Sequence, residues 1–425
     1  MKCAETWSKG FFLIRLLLSA FLACAAGIGH AQEKEVQKSA HTAHKKSAVA
    51  IDAAFAPNGE LWVVGLDDES RLTIRTSIDD GKSWLAPRII DTGADKIAAQ
   101  GESRPRLAFG PKGWVVIAYV RPLAKNYTGE VRMLRSADGG KTFSAPFTVH
   151  QDRQLIAHRF VSLAFDGKGD LHTLWIDKRD AEKFEKTNSK AQETAGKGRT
   201  ESGPGYVGAA IYRNVSKDGG LSFGDDLKLA DHSCECCRIG LARAWDGSVV
   251  AMWRHVFAPN IRDHAFAALG EGASATRLQR STFDDWKVDA CPHHGPALSP
   301  FESDGGKANG YHAVWFGIKA GAAQVRYARL DSNGAPVTTP IALPDEAAEH
   351  ADVIGVGKKV AIAWRSYDGT AMNLKAWRSD DGGKSFALKQ LARTAQDSDY
   401  PVLVSKGEQI FVIWNTKGDI HVERL

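Results

Sequence analysis

The chain has 425 residues, 43% hydrophobic and 25% charged, with 41 Gly, 12 Trp and only 4 Met. This balance excludes a disordered or fibrous chain, and the lone long apolar run, at the N-terminus, excludes a polytopic membrane protein. A net charge of +5 is too mild over this length to imply a nucleic-acid partner.

Residues 1–31 read as a secretory signal. Lys2, Lys9 and Arg15 give a positive start, Leu16 to Ile28 is apolar, and Gly29-His30-Ala31 ends in small residues. The apolar run is short of the ~20 residues a spanning helix needs. Cys24 in Phe21-Leu22-Ala23-Cys24 has the setting of a lipoprotein box, but Phe21 fits that box poorly, so cleavage near Ala31 ranks above lipidation. Residues 32–47 are polar and rich in Lys, with His41 and His44, and read as a solvated leader. The mature chain is expected to be periplasmic or secreted, where disulfides are allowed.

From Ala54 onward the chain reads as short strands joined by glycine turns. Seven hairpins follow one another, ending at Trp62, Trp114, Trp175, Trp253, Trp315, Trp364 and Trp414. Between them recurs Ser-x-Asp-x-Gly-x-Ser/Thr-aromatic: Ser77 to Trp84, Ser136 to Phe143, Ser216 to Phe223 and Ser379 to Phe386. The chemistry suits a turn, because Ser and Asp side chains bond nearby backbone, Gly takes positive φ and the aromatic plugs a core. The pattern is degraded around Ser281 to Trp286 and reduced to a plain turn at Asp331 to Gly334. Residues 181–206 are polar, rich in Lys, Glu and Gly, and are expected to form an exposed insertion loop.

These repeats are Asp boxes, and the chain resembles the sialidase-like, BNR-repeat β-propellers. The resemblance covers most of residues 48–425. It implies an all-β fold of four-stranded blades around an axis: seven blades, with six as the alternative. The seventh has only about three strands of its own, so a segment around 33–48 is expected to close the ring and remove a free sheet edge. In such blades the Asp boxes join strands three and four, so Asp79, Gly81, Asp138, Gly140, Asp218, Gly220, Asp381 and Gly383 are structural. The lead-ins to strand one gather on the opposite face, at the axis.

Those lead-ins are chemically unusual. They read Ser103-Arg104-Pro105-Arg106, His158-Arg159, Cys234-Glu235-Cys236-Cys237-Arg238, Cys291-Pro292-His293-His294, His350-Ala351-Asp352 and Ser398-Asp399-Tyr400. The same face receives Arg254, Arg262 and Arg365 from the connections between strands two and three. Together they imply a polar, cationic axial pocket. Cys234, Cys236, Cys237 and Cys291 are the cysteines left after the signal. With His293, His294, His232, His312 and His350 they offer soft ligands for a metal ion, copper first and zinc second. Disulfides pinning blade four to blade five are the competing reading of the same four thiols.

The resemblance also implies a sialidase-like glycoside hydrolase or a carbohydrate-binding propeller as an alternative. Arg104, Arg238, Arg254, Arg262 and Arg365 would hold an anionic or sugar ligand, Tyr400 would be the nucleophile and Asp263 or Asp399 the acid. The family's early Arg-Ile-Pro motif is missing, however, and no Glu stands clearly beside Tyr400. Three functions stay open: metal binding or handling, which is not enzymatic; sugar chemistry; and a disulfide-stabilised platform for a periplasmic or outer-membrane protein partner.

Overall fold

The computed structural model describes residues 49–99, 101–195, 208–270, 278–288, 290, 292–302 and 308–425. They form an all-β, seven-bladed propeller. Six sheets have four antiparallel strands in sequence order, and the seventh, Val402–Lys406, Gln409–Asn415 and Ile420–Arg424, has three. The innermost strands are Asp52–Phe55, Arg106–Phe109, His158–Phe165, Gly240–Arg243, Ala297–Glu302, Ala348–Val356 and Val402–Lys406. Each touches its two neighbours around the axis.

Second strands are buried and largely apolar because both of their faces are covered by adjacent blades. Every residue of Leu171–Asp177 and of Val249–Arg254 is buried. Trp175, Trp253, Trp315, Trp364 and Trp414 occupy matching places in blades 3 to 7 and are fully buried.

Backbone ladders run within blades, and the blades are tied to one another mainly by side chains, with single backbone bonds such as Gly167 N to the Gly247 carbonyl at 2.7 Å. Asp52 Oδ2 accepts Leu107 N at 2.9 Å and Ser162 Oγ donates to the Ile239 carbonyl at 2.7 Å. Ser299 Oγ accepts Gly355 N at 3.0 Å and Asp352 Oδ2 accepts Leu403 N at 2.9 Å. The ring closes where Asp399 Oδ2 accepts Ile51 N at 2.8 Å and Asn415 Nδ2 donates to the Val49 carbonyl at 2.8 Å. The closing strand expected around 33–48 lies outside the described residues.

The four Asp boxes sit between strands three and four of blades 1, 2, 3 and 6. In blade 1, Ser77 Oγ donates to Asp79 Oδ1 at 2.8 Å and accepts Gly81 N at 2.8 Å, while Asp79 accepts Ser83 N and Ser83 Oγ at 2.8 and 2.6 Å. The same bonds recur around Asp138, Asp218 and Asp381. The second glycine of the box abuts the preceding blade. A Cβ on Gly140, at φ +82, would lie 2.5 Å from Trp62.

Of the segment 181–206 expected as an exposed loop, the part up to Ala195 belongs to a helix, Arg179–Ala195, and residues 196–206 lie outside the described residues. Its Ala, Lys and Glu are good helix formers. Asp180 and Glu182 favour the positive end of its dipole, and Asp177 Oδ1 accepts Arg179 N at 2.9 Å. No helix among the described residues is long and apolar enough to cross a membrane.

Candidate functional site

The lead-ins to strand one converge on Glu102, a residue the sequence reading passed over. Glu102 is 4% exposed and begins the lead-in of blade 2. Oε2 accepts Arg238 N at 2.7 Å and Gly295 N at 2.9 Å. Oε1 accepts Arg238 Nη1 at 3.0 Å and sits 2.9 Å from His350 Nδ1. One carboxylate therefore fastens the lead-ins of blades 4, 5 and 6. Burial works to raise its pKa, but the Arg238 guanidinium and backbone N–H, with the nearby charges of His294 and Arg104, overcome this and hold it below the usual carboxylate range. Gly295 is required by close approach: a Cβ there would run into Arg238 and lie 2.6 Å from Glu102 Oε2.

A column of stacked rings leads away from this carboxylate. Phe316 stacks on His294 at 4.3 Å, His294 on His350 at 4.2 Å, and His350 on Tyr400 at 3.5 Å, the last two pairs nearly parallel at 12° and 7°. Arg365 and Arg104 lie over Tyr400 at 4.4 and 5.0 Å. His350 reaches this position through a backbone turned to φ 51. Ligand atoms of His294, Glu349 and His350 lie within 4.8 Å of one another. The two imidazole planes are parallel, though, so their lone pairs run side by side, and one ring must turn before both bind one ion. Glu349 is also engaged by Arg365 at 2.8 Å.

The thiols form the tighter group. Cys234, Cys236 and Cys237 are buried at 1, 6 and 2% exposure in the core shared by blades 3 and 4, against Phe160, Ile176, Ala209, Trp253 and Ala265. The chain is held there by Cys234 N donating to the Arg254 carbonyl at 2.9 Å. Cys234 Sγ lies 3.6 Å from Cys236 Sγ and 3.7 Å from Cys237 Sγ. These are contacts, not bonds, since a disulfide brings sulfurs to about 2.05 Å. No disulfide is formed among the described residues. Burial pushes the Cys237 thiol well above its ordinary pKa, and the Arg254 charge opposes this. The same core holds an orphaned donor. Trp175, Trp315, Trp364 and Trp414 each give Nε1–H to an oxygen at 2.8 to 2.9 Å. Trp253 Nε1 is buried without a hydrogen-bond partner among the described residues.

The remaining expected site residues are scattered. Cys291 lies outside the described residues. His293, partly exposed at φ 56, adjoins His294. His232, at φ 56, lies on the outer edge of blade 3 near His255. His312 is not at the axis. It lies in the first half of the second strand of blade 5, Ala308–Lys319, bonds Tyr327 Oη through Nδ1 at 2.8 Å and faces the Asp-box glycine Gly383 on the opposite face of the ring. Strand direction explains the correction, because second strands start at the Asp-box face.

The arginines are engaged by the protein itself. Arg104 forms a two-pronged pair with Asp399 at 3.0 and 3.0 Å. Arg238 is held by Glu102 and by the Pro296 and Ala351 carbonyls. Arg254 donates to the carbonyls of Arg262, His294 and Phe316 and covers Trp286. Arg262 Nε donates to the Val288 carbonyl at 3.2 Å, and Arg365 holds Glu349 and the Ser398 carbonyl. Asp263 is paired with Arg280 within blade 4 and does not meet Tyr400, which is buried with its pKa raised mainly by that burial.

No protein-family description matches the chain, and no curated protein does. Solved structures match its fold. The BP39L lectin from Burkholderia pseudomallei aligns with a TM-score of 0.54 at 11% identity, over 90% of this chain and 96% of the lectin. A PL25 ulvan lyase bound to -[GlcA(1-4)Rha3S]- aligns with a TM-score of 0.51 at 11% identity, over 90% of this chain and 94% of the lyase. At this identity the likeness is one of fold.

Proposed function

We propose that this protein is an exported propeller that binds a soft metal ion, copper first and zinc second, at Cys234, Cys236 and Cys237. The separation of the sulfurs carries the reading. Thiolates about 2.3 Å from a tetrahedral metal lie about 3.8 Å apart, close to the 3.6 and 3.7 Å between Cys234 and its two neighbours. The three ligands come from one short segment whose ends are fixed by Glu102 and by the Arg254 carbonyl, so little ordering remains for the ion to impose. The Trp253 indole N–H supports the same reading, since a charged sulfur in that core is the kind of acceptor it lacks. Binding requires the thiols to lose protons that burial favours keeping, so metal uptake should fall steeply with acidity.

The sialidase-like alternative needs arginines that face a ligand. Arg104, Arg238, Arg254 and Arg365 face protein oxygens instead. The neighbours that act on or bind sugars share only the fold with this chain.

The test is metal content and thiol count on protein purified from its native compartment without reductant. The expected result is stoichiometric copper or zinc, lost in Cys234→Ser and in Cys237→Ser while the melting profile stays cooperative. Metal-poor protein with every thiol oxidised would overturn the reading in favour of the disulfide-pinned platform.

A further inference from the structure

The ring axis contains a second feature that the thiols do not use. A cavity of about 180 Å³ is lined by Asp52, Arg106, Ser162, Arg238, Pro296 and Asp352, among others. Its acidic and basic groups alternate around the ring: Arg106 on blade 2 faces Asp52 on blade 1, and Arg238 on blade 4, which donates to the Ala351 carbonyl, lies beside Asp352 on blade 6.

Of the two arginines, Arg238 is saturated by Glu102 and two carbonyls. Arg106 is not. Its nearest carboxylate oxygen, on Asp52, is 3.9 Å away, beyond hydrogen-bond distance, and its buried Nε has no hydrogen-bond partner among the described residues. The side chains of Arg106 and Asp52 keep 18 and 15% exposure, so solvent and small solutes reach them. Asp52 and Asp352 each accept a backbone N–H from the next blade, which fixes their position but leaves acceptor capacity on both. Burial raises the pKa of both carboxyls, so a cation beside them would relieve an existing cost.

We infer that this axial cavity binds a small zwitterion of the α-amino-acid class, its carboxylate on Arg106 and its ammonium toward Asp52 and Asp352. Arg106 repels a bare metal cation and the two aspartates repel a simple anion, so a ligand carrying both charges complements the adjoining acidic and basic groups of this lining. The volume sets the size. A space of about 180 Å³ accommodates the α-amino and α-carboxylate groups of a small amino acid such as glycine, alanine or serine. The inference stands apart from the metal reading, since none of its ligand-facing residues is a cysteine.

Calorimetric titration of the full chain with glycine and L-alanine tests it, with acetate and ethylamine as half-ligands. Saturable binding of the amino acids is expected, with neither half-ligand competing at equal concentration. Arg106→Gln and Asp352→Asn should each weaken binding about tenfold or more, through loss of a charged hydrogen bond. Should Arg106→Gln fail to fold, Asp352→Asn carries the test. Absence of saturable binding, acetate binding as well as glycine does, or full affinity in a folded variant would each overturn the inference. Thiol oxidation that abolishes metal binding should leave amino-acid binding intact, which keeps the two readings separable.

Discussion

The two faces of the ring hold their carboxylates in opposite ways. On one face Asp79, Asp138, Asp218 and Asp381 are gripped by their own turns, with partners two to four residues away. On the other, Glu102 is buried and takes its partners from 136, 193 and 248 positions along the chain. The first arrangement is a local device repeated four times, and losing one copy leaves the others intact. The second is built once, from four blades, and the thiol segment hangs from it. The face that repeats sets the architecture, and the face that does not repeat carries the chemistry.

The sharpest way to break this contrast is Glu102→Ala. It removes the acceptor of two backbone N–H groups and leaves the Arg238 guanidinium, 14% exposed, without its carboxylate. Loss of one partner of a buried pair costs about 3–5 kcal/mol, which chemical denaturation will read. Because Arg238 follows Cys237 directly, the variant should also lose metal under conditions where it stays folded. Stability close to that of the parent would mean that the three lead-ins do not depend on this carboxylate.

The same contrast explains what could be read from sequence. The seven hairpins, the strand-three-to-four placement of the boxes and the seven-blade count rest on local patterns with partners a few residues apart, and these were legible, although Trp62 and Trp114 open the second strands of blades 1 and 2 while the Trp of blades 3 to 7 comes late in its strand. The thiols were legible as a cluster because Cys234, Cys236 and Cys237 are neighbours in the chain. Glu102 was not, because nothing near Gly101-Glu102-Ser103 announces partners at Arg238, Gly295 and His350. His312 is off the axis because it lies in the first, Asp-box-side half of a second strand, a position its residue type does not announce. The helix Arg179–Ala195 was missed because a polar composition was taken for a loop, although Ala, Lys and Glu also favour helix.

A gentler test stays within one Asp box. Gly139 and Gly140 both have positive φ, +75 and +82, but only Gly140 faces a neighbour, with Trp62 at 2.5 Å from a Cβ placed there. Gly139→Ala should cost only the left-handed backbone penalty, about 1 kcal/mol. Gly140→Ala adds overpacking against blade 1 and should cost about 3 kcal/mol in total. Neither should change metal content, which distinguishes an architectural turn from Glu102. Equal costs for the two variants would show that the box does not pack on the preceding blade.

The smallest effect separates buried imidazoles from box aspartates by pH. Burial, joined by the nearby His232 charge, lowers His255 from 6.5 to about 4, and burial beside His158 lowers His150 to about 3. Such groups bind protons less readily folded than unfolded. Their contribution to stability is therefore complete above about pH 6.5 and declines as pH falls toward 4 and 3, by at most ~1.4 kcal/mol per pH unit for each proton. The box residue Asp79 is lowered from 3.8 to about 2 by bonds from Ser83 and Ser77. Its contribution is present above 3.8 and lost only as pH falls toward 2, and its surface position keeps it slight. Denaturation midpoints measured across pH should accordingly fall in two stages. His255→Gln should flatten the stage between pH 6.5 and 4 and leave the lower one unchanged, while Asp79→Asn should do the reverse. If His255→Gln leaves the upper slope as steep as in the parent, His255 is not a source of that acid sensitivity, and the axial face titrates through other groups.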